Sequence, residues 1–498
     1  MDGPQHHDVL VIGAGFGGLG AGIRLQAAGR HDFAILEREA GVGGTWHANR
    51  YPGAACDIPS LLYSFSFAPN PRWTRHYPRQ PEIEAYLGDC VRRFGLAPRL
   101  RLSTRVTAAR WDEAARRWTI EAQSAERGSE RYSARVLIAA TGGLSRPALP
   151  DLPGLADFAG PAFHTARWRD DVPIDGARIG IVGTGASAIQ LTPQLAPRVA
   201  QLCLFQRTPP WVLPKADRRL SRAERWVYAH VPFAQRLARG AIYALHEWRA
   251  PGFTRKPALL KAAEPLALAY LRHKVPDAAL RAALTPRYRM GCKRILIASD
   301  YLPALQRPNV SLVTQAIERV LPHGIRTRDG REHALDALVF ATGFDAAEAV
   351  APFEVRGRGG ADLNAAWRRD GPSAYLGTSI AGFPNLFLLV GPNTGLGHNS
   401  MVYMIESQLN HVLDALARMD ARGERVAEVR AEVQQRYNAE LQQRLARSVW
   451  ATGGCSSWYQ MHRPGHEGRI TTLWPGSTLE FRRRTRRFAV ADYVFGGG

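Results

Sequence analysis

A glycine-rich loop after a short apolar run occurs twice in this chain and limits its possible folds more than any other feature. The apolar run 8–12 leads into Gly13-Ala-Gly-Phe-Gly-Gly, and the run 177–182 leads into Gly183-Thr-Gly-Ala-Ser-Ala. A helical stretch and a second apolar run follow each loop. Apolar runs without alternation are typical of strands buried on both faces of a parallel sheet. The chain is therefore predicted to be an α/β protein with two doubly wound, Rossmann-like dinucleotide-binding domains.

Each glycine of the first loop has a separate role in bringing a helix and a pyrophosphate together. Gly13 permits the tight turn, Gly15 lets the backbone approach the phosphates, and Gly18 lets the helix lie close to the strand. The helix N-terminus then presents free N–H groups and the positive end of its dipole to the anion. The first loop is therefore predicted to bind a dinucleotide.

The second loop has the same plan with one substitution. Gly183 and Gly185 occupy the first two positions, and Ala188 replaces the third glycine. Because alanine has the smallest side chain after glycine, we interpret this loop as intact. Its other predicted contact residues are Thr184, Ala186 and Ser187.

The residue at the end of the next strand distinguishes the two loops. Glu37 lies 24 residues after Gly13, and Arg207 lies 24 residues after Gly183. A carboxylate at this place accepts hydrogen bonds from both ribose hydroxyls, whereas an arginine binds a 2′-phosphate. We therefore expect FAD on the first loop and NADPH on the second, with Thr208 as a further NADP contact.

The order of these units implies that one domain is inserted into the other. Two similar strand endings, 136–140 before Thr141 and 337–341 before Thr342, lie where the chain would leave one domain and later re-enter it. The Pro-rich stretch after the first ending is typical of a linker. We predict an FAD domain in two pieces, 1–145 and 340–498, the second including the C-terminal segment, and an NADP domain at 146–339.

Residues 220–290 are predicted to form an Arg-rich helical insertion in the second domain. Its aromatic side chains are expected to pack onto the sheet domain, as on an ordinary amphipathic helix. These residues are Trp226, Tyr228, Trp248 and Tyr270. The alternatives are a wall of the substrate pocket or a helix that lies on a membrane surface.

Two patterns near the C-terminus give local predictions. Apolar residues recur at three- and four-residue spacing from Val426 and Val429 to Leu445, which predicts one amphipathic helix packed on the core. The run Arg482–Arg487 is flanked by Phe481 and Phe488, and it is interpreted as the solvated face of a strand.

The chain of 498 residues carries a net charge of +21, which raises the question of a nucleic-acid or membrane partner. Only five of its 65 basic residues are Lys, and this bias favours codon preference over a polyanion site. No nucleic-acid partner is expected. No apolar run reaches the ~18–20 residues of a membrane span, and no signal peptide is recognisable, so we expect a cytoplasmic protein.

The five cysteines are odd in number, widely spread and without a Cys-x-x-Cys pair. This pattern argues against a disulfide framework, a zinc site and a redox-active dithiol. Reduced, mostly buried thiols are expected. No cluster of His, Asp or Glu has metal-ligand spacing, so no metal site is expected.

The segment between the two loop units carries a family resemblance. It reads Phe158-Ala-Gly160-Pro-Ala-Phe-His164-Thr-Ala-Arg-Trp168. This resembles the fingerprint of type I Baeyer–Villiger monooxygenases, a class B flavin-dependent family, although Arg169 follows where the family has Pro or Asp. Related N- and S-oxygenating enzymes usually end this motif in Tyr or Phe, so Trp168 favours the ketone-oxidising branch.

A second stretch carries the same resemblance. Gly44-Thr-Trp46-His-Ala-Asn-Arg-Tyr51-Pro-Gly-Ala-Ala-Cys-Asp57 is similar to the other long motif of the family. Lys293-Arg294 and Ser457-Trp458 stand where the family has its active-site pair and a late tryptophan. The resemblance covers residues 8 to about 460 and departs at 460–467, where the family often has a Pro-Gly-Lys stretch.

The resemblance implies a reaction in which NADPH reduces FAD, O₂ adds to the flavin, and the C4a-peroxyflavin converts a ketone to an ester or lactone. It assigns Arg294 to stabilising the developing negative charge and Asp57 to partnering it, since a buried Arg needs a counter-charge. Lys293 would bind the NADP 2′-phosphate beside Arg207. His164 would position NADP and couple the domains.

The other implied contacts are assigned by the same resemblance. Trp458 would cover the nicotinamide and the substrate. The residues expected near the flavin are Gly44, Thr45, Trp46, Asp57, Tyr63, Val106, Thr141 and Met401.

Two other functions remain open at this point. An N- or S-oxygenating monooxygenase would act on a nucleophile such as a sulfide. An uncoupled NADPH oxidase or redox-sensing flavoprotein would release hydrogen peroxide with every substrate. A disulfide reductase of the standard type is excluded by the missing Cys-x-x-Cys pair.

Overall fold

The computed structural model describes residues 3–345, 351–461 and 468–496. Its strands are β1 (Gln5–Ile12), β2 (Phe33–Leu36), β3 (Leu100–Arg101), β4 (Thr104–Asp112), β5 (Arg117–Ser124), β6 (Gly128–Ala139), β7 (Ala162–His164), β8 (Arg178–Val182), β9 (Gln201–Phe205), β10 (Val212–Leu213), β11 (Leu296–Ile297), β12 (Val310–Val313), β13 (Ile317–Leu321), β14 (Gly324–Thr327), β15 (Glu332–Ala334), β16 (Ala337–Phe340), β17 (Glu354–Arg356), β18 (Leu386–Leu388), β19 (Val426–Val429) and β20 (Tyr493–Gly496). Its α-helices are α1 (Phe16–Ala27), α2 (Thr45–Ala48), α3 (Gln80–Arg93), α4 (Ala186–Leu195), α5 (Arg222–His230), α6 (Ala234–Glu247), α7 (Ala250–Thr254), α8 (Ala258–Lys274), α9 (Ala278–Ala283), α10 (Tyr301–Ala304), α11 (Leu363–Asp370), α12 (Met401–Ala421), α13 (Ala431–Leu445), α14 (Val449–Thr452) and α15 (Thr478–Thr485).

The first sheet has the strand order β17-β4-β5-β6-β1-β2-β3, and β18 pairs with β6. Strand β1 is parallel to both of its neighbours, and Leu10 lies opposite Ala34 on β2 and Leu137 on β6. Helix α1 connects β1 to β2, as the sequence predicts. Strand β5 is antiparallel to β4 and β6, so the sheet is mixed.

Alternate side chains of β1 enter two different cores. Val9 and Val11 pack with residues of α1, α3 and α12, whereas Leu10 and Ile12 join the core on the opposite face of the sheet. Burial of each such side chain contributes about 1.5–3 kcal/mol. Because both faces are covered, the strand carries apolar residues without polar alternation.

The second sheet is fully parallel and has the order β12-β9-β8-β16-β7. Helix α4 connects β8 to β9, and Gly180 of β8 lies opposite Cys203 on β9 and Leu338 on β16. The predicted fold class, α/β with two doubly wound dinucleotide-binding units, is confirmed.

The chain passes from the first sheet to the second and back. Strand β6 ends at Ala139 in the first sheet, and β7 begins at Ala162 in the second. Strand β16 ends at Phe340 in the second sheet, and the next described strand, β17, belongs to the first. These crossings support domain boundaries near 145 and 340, which we retain as a proposal with Phe340 assigned to the second sheet.

Helices α5 to α9 lie between β10 and β11, within the predicted insertion. Tyr228 packs against the core of the first sheet and Tyr270 against that of the second. Trp226 and Trp248 are exposed, so the expectation that all four aromatic side chains pack is wrong for these two. No helix in the described ranges is long and apolar enough to cross a bilayer.

Two C-terminal predictions are wrong in their secondary structure. Val426 and Val429 lie on β19, which pairs with β20, and α13 begins only at Ala431. The three-residue spacing across this junction imitates a helical repeat. The arginine run begins on helix α15 because Ser477 caps that helix by accepting a hydrogen bond from the Glu480 backbone N–H.

Candidate active site

A cleft of about 1810 Å³ extends from the first glycine loop to the second. This volume exceeds the ~300–1,000 Å³ of a typical single-ligand pocket. The predicted site residues that line the cleft are Gly13, Gly15, Glu37, Gly44, Thr45, Trp46, Asp57, Tyr63, Val106, Thr141, Trp168, Gly183, Thr184, Gly185, Ala186, Ser187, Arg207, Thr208, Lys293, Arg294, Met401 and Trp458. Gly18, Ala188 and His164 lie behind this lining. Within the described part of the chain, no group of three or more His, Cys, Asp and Glu side chains could hold a metal ion.

The first glycine of each loop adopts the same unusual backbone conformation. Gly13 has φ +103° and Gly183 has φ +108°. A Cβ atom at either position would lie 2.6 Å from a carbonyl oxygen, that of Ala140 or Ala341 respectively. Both turns therefore require glycine, for steric as well as conformational reasons.

The third loop position differs between the two units. A Cβ atom at Gly18 would lie 1.7 Å from the carbonyl oxygen of Gly13, so the first loop has no room for a side chain. Ala188 occupies the equivalent position of the second loop with its methyl group fully buried. The interpretation of the second loop as intact agrees with this packing.

The helices after the two loops begin without side-chain caps. Gly15 and Gly185 are the N-cap residues of α1 and α4, and neither first turn contains an acidic residue. By contrast, Ser221 and Ser400 cap α5 and α12 through their hydroxyl groups. The backbone N–H groups at both loops are thus left for a ligand, and they fit the negative charge of a pyrophosphate.

Glu37 is held at the end of β2 by the backbone of its own unit. Its Oε2 atom accepts a hydrogen bond from Ala14 N at 2.7 Å, and Oε1 accepts one from Glu39 N at 3.0 Å. Burial raises the pKa of this carboxyl, and the two backbone hydrogen bonds oppose that shift. The side chain is oriented before any ligand arrives, which suits a ribose diol.

Two basic side chains meet at the end of β9. Arg207 is exposed, and Lys293 is partly buried with its Nζ atom 5.3 Å from the centroid of the Tyr288 ring. Burial lowers the pKa of Lys293, and the charge of Arg207 lowers it further. Two like charges near enough to influence each other fit a doubly charged phosphate. Thr208 lies beside them, and its carbonyl oxygen accepts a hydrogen bond from Thr184 Oγ1 at 3.0 Å.

Trp46 and Tyr63 form one wall beside the first loop. The indole Nε1–H of Trp46 donates to the Tyr63 hydroxyl at 3.0 Å, and the two rings meet edge to face. Phe16, the first residue of α1, contacts the Tyr63 ring with a centroid distance of 5.1 Å. Burial raises the pKa of Tyr63 above its usual range, so its hydroxyl stays protonated.

Gln190 connects the two units, and the sequence motifs do not point to it. This residue of α4 accepts a hydrogen bond from the Tyr51 hydroxyl at 2.9 Å and donates to the carbonyl oxygen of Ala55 at 3.0 Å. Gly53 lies against the same helix, where a Cβ atom would be 2.5 Å from the Gln190 carbonyl oxygen. The Tyr-Pro-Gly part of the first motif therefore docks on the helix of the second loop.

Asp57 does not form the expected pair with Arg294. Its Oδ1 atom lies 3.3 Å from Nζ of Lys215, which also donates to the carbonyl oxygen of Cys56. Arg294 instead donates to the carbonyl oxygen of Leu396 at 3.4 Å. The ammonium of Lys215 reaches the carboxylate from the segment after β10, and no local pattern in the sequence marks that approach.

Cys292 and Cys455 form a disulfide, so the expectation of five reduced thiols is wrong for this pair. Their Cα atoms lie 6.1 Å apart although 163 positions separate them in the chain. Cys56, Cys90 and Cys203 are free and buried, as expected. The bond joins the residue before Lys293 to the segment that carries Trp458. This side chain is half-exposed, and its ring is tilted against that of Tyr459 with the centroids 4.5 Å apart.

The fingerprint segment is fixed at the edge of the second sheet. A Cβ atom at Gly160 would lie 2.3 Å from the Asp336 carbonyl oxygen, so glycine is required where β7 approaches β16. His164 is buried, and its Nδ1 accepts a hydrogen bond from Ala166 N at 3.1 Å. Burial lowers its pKa to about 4, so the imidazole is neutral at physiological pH. Trp168 packs edge to face on Phe163 and lines the cleft.

The divergent stretch 460–467 falls largely outside the described residues, since positions 462–467 are not described. Gln460 and Met461 are the part of it that the structure includes. Gln460 donates to the carbonyl oxygen of Trp450 at 2.7 Å.

Three comparisons with known proteins agree with this geometry. The family model described as pyridine nucleotide-disulphide oxidoreductase matches residues 7–228. A Baeyer–Villiger monooxygenase of Pseudomonas aeruginosa is 48% identical over 98% of this chain and 91% of its own length. A Baeyer–Villiger monooxygenase of Streptomyces coelicolor is 46% identical over 98% of this chain and 92% of its own length.

Solved structures agree along the whole chain. The crystal structure of cyclohexanone monooxygenase from Rhodococcus sp. Phi1 bound to NADP+ superimposes with a TM-score of 0.88 at 29% identity and covers 100% of both chains. The fingerprint segment, the two glycine loops and these full-length similarities lead to one assignment. The chain belongs to the Baeyer–Villiger monooxygenase family.

Proposed function

We propose that this enzyme uses FAD, NADPH and O₂ to convert a ketone to an ester or lactone. One oxygen atom of O₂ enters the bond between the carbonyl carbon and its neighbour, and the other leaves as water. NADPH supplies the two electrons. The observation that carries this proposal is one cleft that contains two uncapped glycine loops and a guanidinium group, that of Arg294.

We assign FAD to the first loop. The N–H groups at Gly15 face the cleft without a capping side chain, and the oriented carboxylate of Glu37 suits the ribose hydroxyls. The remaining proposed FAD contacts are Gly13, Gly18, Gly44, Thr45, Trp46, Asp57, Tyr63, Val106, Thr141 and Met401. Gly18 acts through helix packing, since it does not line the cleft.

We assign NADP to the second loop. Arg207 and Lys293 are the proposed 2′-phosphate ligands. Their positive charges are near enough to influence each other, and a pair of such charges suits a doubly charged phosphate. The other proposed contacts are Gly183, Thr184, Gly185, Ala186, Ser187, Ala188, Thr208, Arg294 and Trp458, with Trp168 at the rim of the cleft. His164 is assigned a positioning role, because a buried imidazole with so low a pKa does not exchange protons near neutral pH.

Arg294 is the proposed catalytic cation. When bound, the flavin supplies the activation of O₂ with electrons from NADPH. The guanidinium stays charged at every working pH, so it stabilises negative charge without a proton-transfer cycle. Its charge acts on Cys56, Tyr63 and Tyr459, which line the cleft together with it. Asp57 lines the same region and is held in place by Lys215.

A substrate panel tests the proposal. The enzyme is incubated with FAD, NADPH and cyclohexanone, a phenyl ketone or a thioether, and the products are identified by mass. We expect a lactone or ester whose mass exceeds that of the ketone by one oxygen atom. Sulfoxide as the only product would favour an N- or S-oxygenating enzyme, and hydrogen peroxide equal to the NADPH consumed in every reaction would favour an oxidase.

A further inference from the structure

The outer surface of helices α5 and α6 exposes large apolar side chains to solvent. We define the outer helix face by five residues in the segment 226–248. Their relative exposures are 59% for Trp226, 66% for Phe233, 73% for Leu237, 57% for Leu245 and 82% for Trp248. Single exposed apolar residues are ordinary on a protein surface, but five of this size within one helix pair need an explanation.

Helix α6 carries apolar residues on both sides, since Ala238, Ile242 and Tyr243 of its inner side pack against the core of the first sheet. On its inner side, Arg239 donates to the carbonyl oxygens of Leu61 and Ser64, and Glu247 accepts a hydrogen bond from the Thr478 backbone N–H at 2.7 Å. On its outer side, the exposed positions from Leu237 to Trp248 include only small and apolar residues at three- and four-residue spacing: Leu237, Gly240, Ala241, Ala244, Leu245 and Trp248. The side of a helix that faces water normally carries polar and charged residues.

Phe233 adds a second, independent observation. It precedes α6 with φ +63°, a left-handed conformation that is unfavourable for a residue with a bulky side chain. The strained backbone nevertheless presents an aromatic ring to solvent. Arg236 lies over that ring at 5.7 Å from its centroid. Strain kept at an exposed apolar residue indicates a function for the exposed group.

The exposed charges around the outer helix face are positive. Arg222, Arg236 and Arg249 are exposed beside it. The acidic residues of helices α5 and α6 are already engaged, since Glu224 pairs with Arg218 at 2.6 Å and Glu247 is bonded on the inner side. The face therefore combines apolar side chains with unbalanced positive charge, on a chain whose net charge is +21.

We propose that the outer helix face binds the surface of an anionic lipid bilayer. The tryptophan, phenylalanine and leucine side chains would enter the boundary between headgroups and acyl chains, and the arginines would contact lipid phosphates. A second copy of this chain is a poorer partner because symmetric contact would place the same arginines against one another. A nucleic acid would use the arginines and leave the apolar side chains without a role. The proposal does not depend on which ketone the enzyme oxidises.

The test is cosedimentation of the FAD-loaded full-length enzyme with vesicles. One set contains phosphatidylcholine alone, and the other contains phosphatidylcholine with about one third phosphatidylglycerol. We expect binding to the anionic vesicles only, and weaker binding at high salt. The double variant Leu237→Ser/Trp248→Ser should reduce the bound fraction about tenfold or more, since it removes the two most exposed of the five apolar side chains. Arg236→Gln/Arg249→Gln should also weaken binding.

The matched control is Leu479→Ser, which removes an exposed leucine from α15. It should bind vesicles like the wild type, and all variants should oxidise NADPH normally in vesicle-free buffer. The proposal is overturned if the wild-type enzyme does not sediment with anionic vesicles, or if Leu479→Ser weakens binding as much as the double variant. It is also overturned if the wild type is a dimer that the double variant converts to a monomer, because the face would then be an interface between copies.

Discussion

The ammonium of Lys215 lies 3.3 Å from Oδ1 of Asp57, and both side chains are largely buried. The carboxylate expected to balance Arg294 is therefore engaged by a lysine from another segment of the chain. Arg294 has no acidic partner within 4 Å among the described residues, and its charge is directed at the cleft. This arrangement leaves the guanidinium available for a negative charge that develops during the reaction.

Removing Lys215 should destabilise the protein because it leaves Asp57 buried without its partner. We expect Lys215→Met to lower the free energy of unfolding by about 3 kcal/mol. In the Asp57→Asn background the same change should have a much smaller effect, since no charge then remains unpaired. Urea denaturation of the four proteins measures both effects. Equal losses in the two backgrounds would show that the pair makes no specific contribution.

Arg294→Ala should separate the two half-reactions. Stopped-flow spectroscopy should still detect reduction of the flavin by NADPH, whereas ester or lactone formation should fall by roughly 10²-fold or more, as when a charge-stabilising donor is removed. The matched control is Arg287→Ala, an exposed arginine of the same segment. A variant that formed product at the wild-type rate would contradict the role assigned to Arg294.

Arg207→Ala should change the preference between cofactors. A charged hydrogen bond to the 2′-phosphate contributes about 1.5–3 kcal/mol, so the KM for NADPH should rise roughly tenfold or more. The KM for NADH, which lacks this phosphate, should stay close to its wild-type value. Arg198→Ala removes an exposed arginine from the same domain, paired with Asp175, and serves as the control. An equal rise of the KM for NADPH and of the KM for NADH would show that Arg207 does not bind the 2′-phosphate.

The disulfide predicts the thiol count and a loss of stability on reduction. Under denaturing conditions, a thiol reagent should titrate three groups in the isolated protein, those of Cys56, Cys90 and Cys203. After reduction of the disulfide it should titrate all five cysteines. The variant Cys292→Ser/Cys455→Ser should unfold at a lower temperature, because a cross-link closing a loop this long contributes up to about 5 kcal/mol. Five reactive thiols before reduction would contradict the bond.

Two buried histidines predict a loss of stability in mild acid. Burial lowers the pKa of His164 and of His411 to about 4, whereas both ionise near 6.5 when the chain unfolds. The unfolded state therefore binds more protons between these values, and the stability present above pH 6.5 is lost as the pH falls toward 4. Each histidine should remove on the order of 2 kcal/mol by pH 5. Urea denaturation at pH 7 and pH 5 should show a shallower pH dependence for His411→Gln than for the wild type.

The parts of the site that the sequence predicts depend on neighbouring residues. A strand, a glycine turn and a helix N-terminus follow one another directly in the chain. The loop at Gly13 and the acidic end of the next strand at Glu37 can therefore be predicted without knowing any tertiary contact. The same holds for the loop at Gly183. The assignments of individual side chains to FAD or NADP contacts remain predictions.

The parts that the sequence does not predict are contacts between distant segments. Lys215 and Asp57 are 158 positions apart, and Tyr51 and Gln190 are 139 apart. Neither pair has a spacing or composition that distinguishes it from chance. The sequence does not predict the exposed position of Trp248 either, because an aromatic residue on an amphipathic helix usually faces the core.

The contacts of Gln190 also bear on how the enzyme moves. Its side-chain amide binds the 51–55 stretch of the first unit to a helix of the second. A rotation of one unit against the other has to break these hydrogen bonds or carry that stretch along. In the second case the parts that move as rigid bodies would differ from the two sheets, because the 51–55 stretch of the first unit would move together with the second unit.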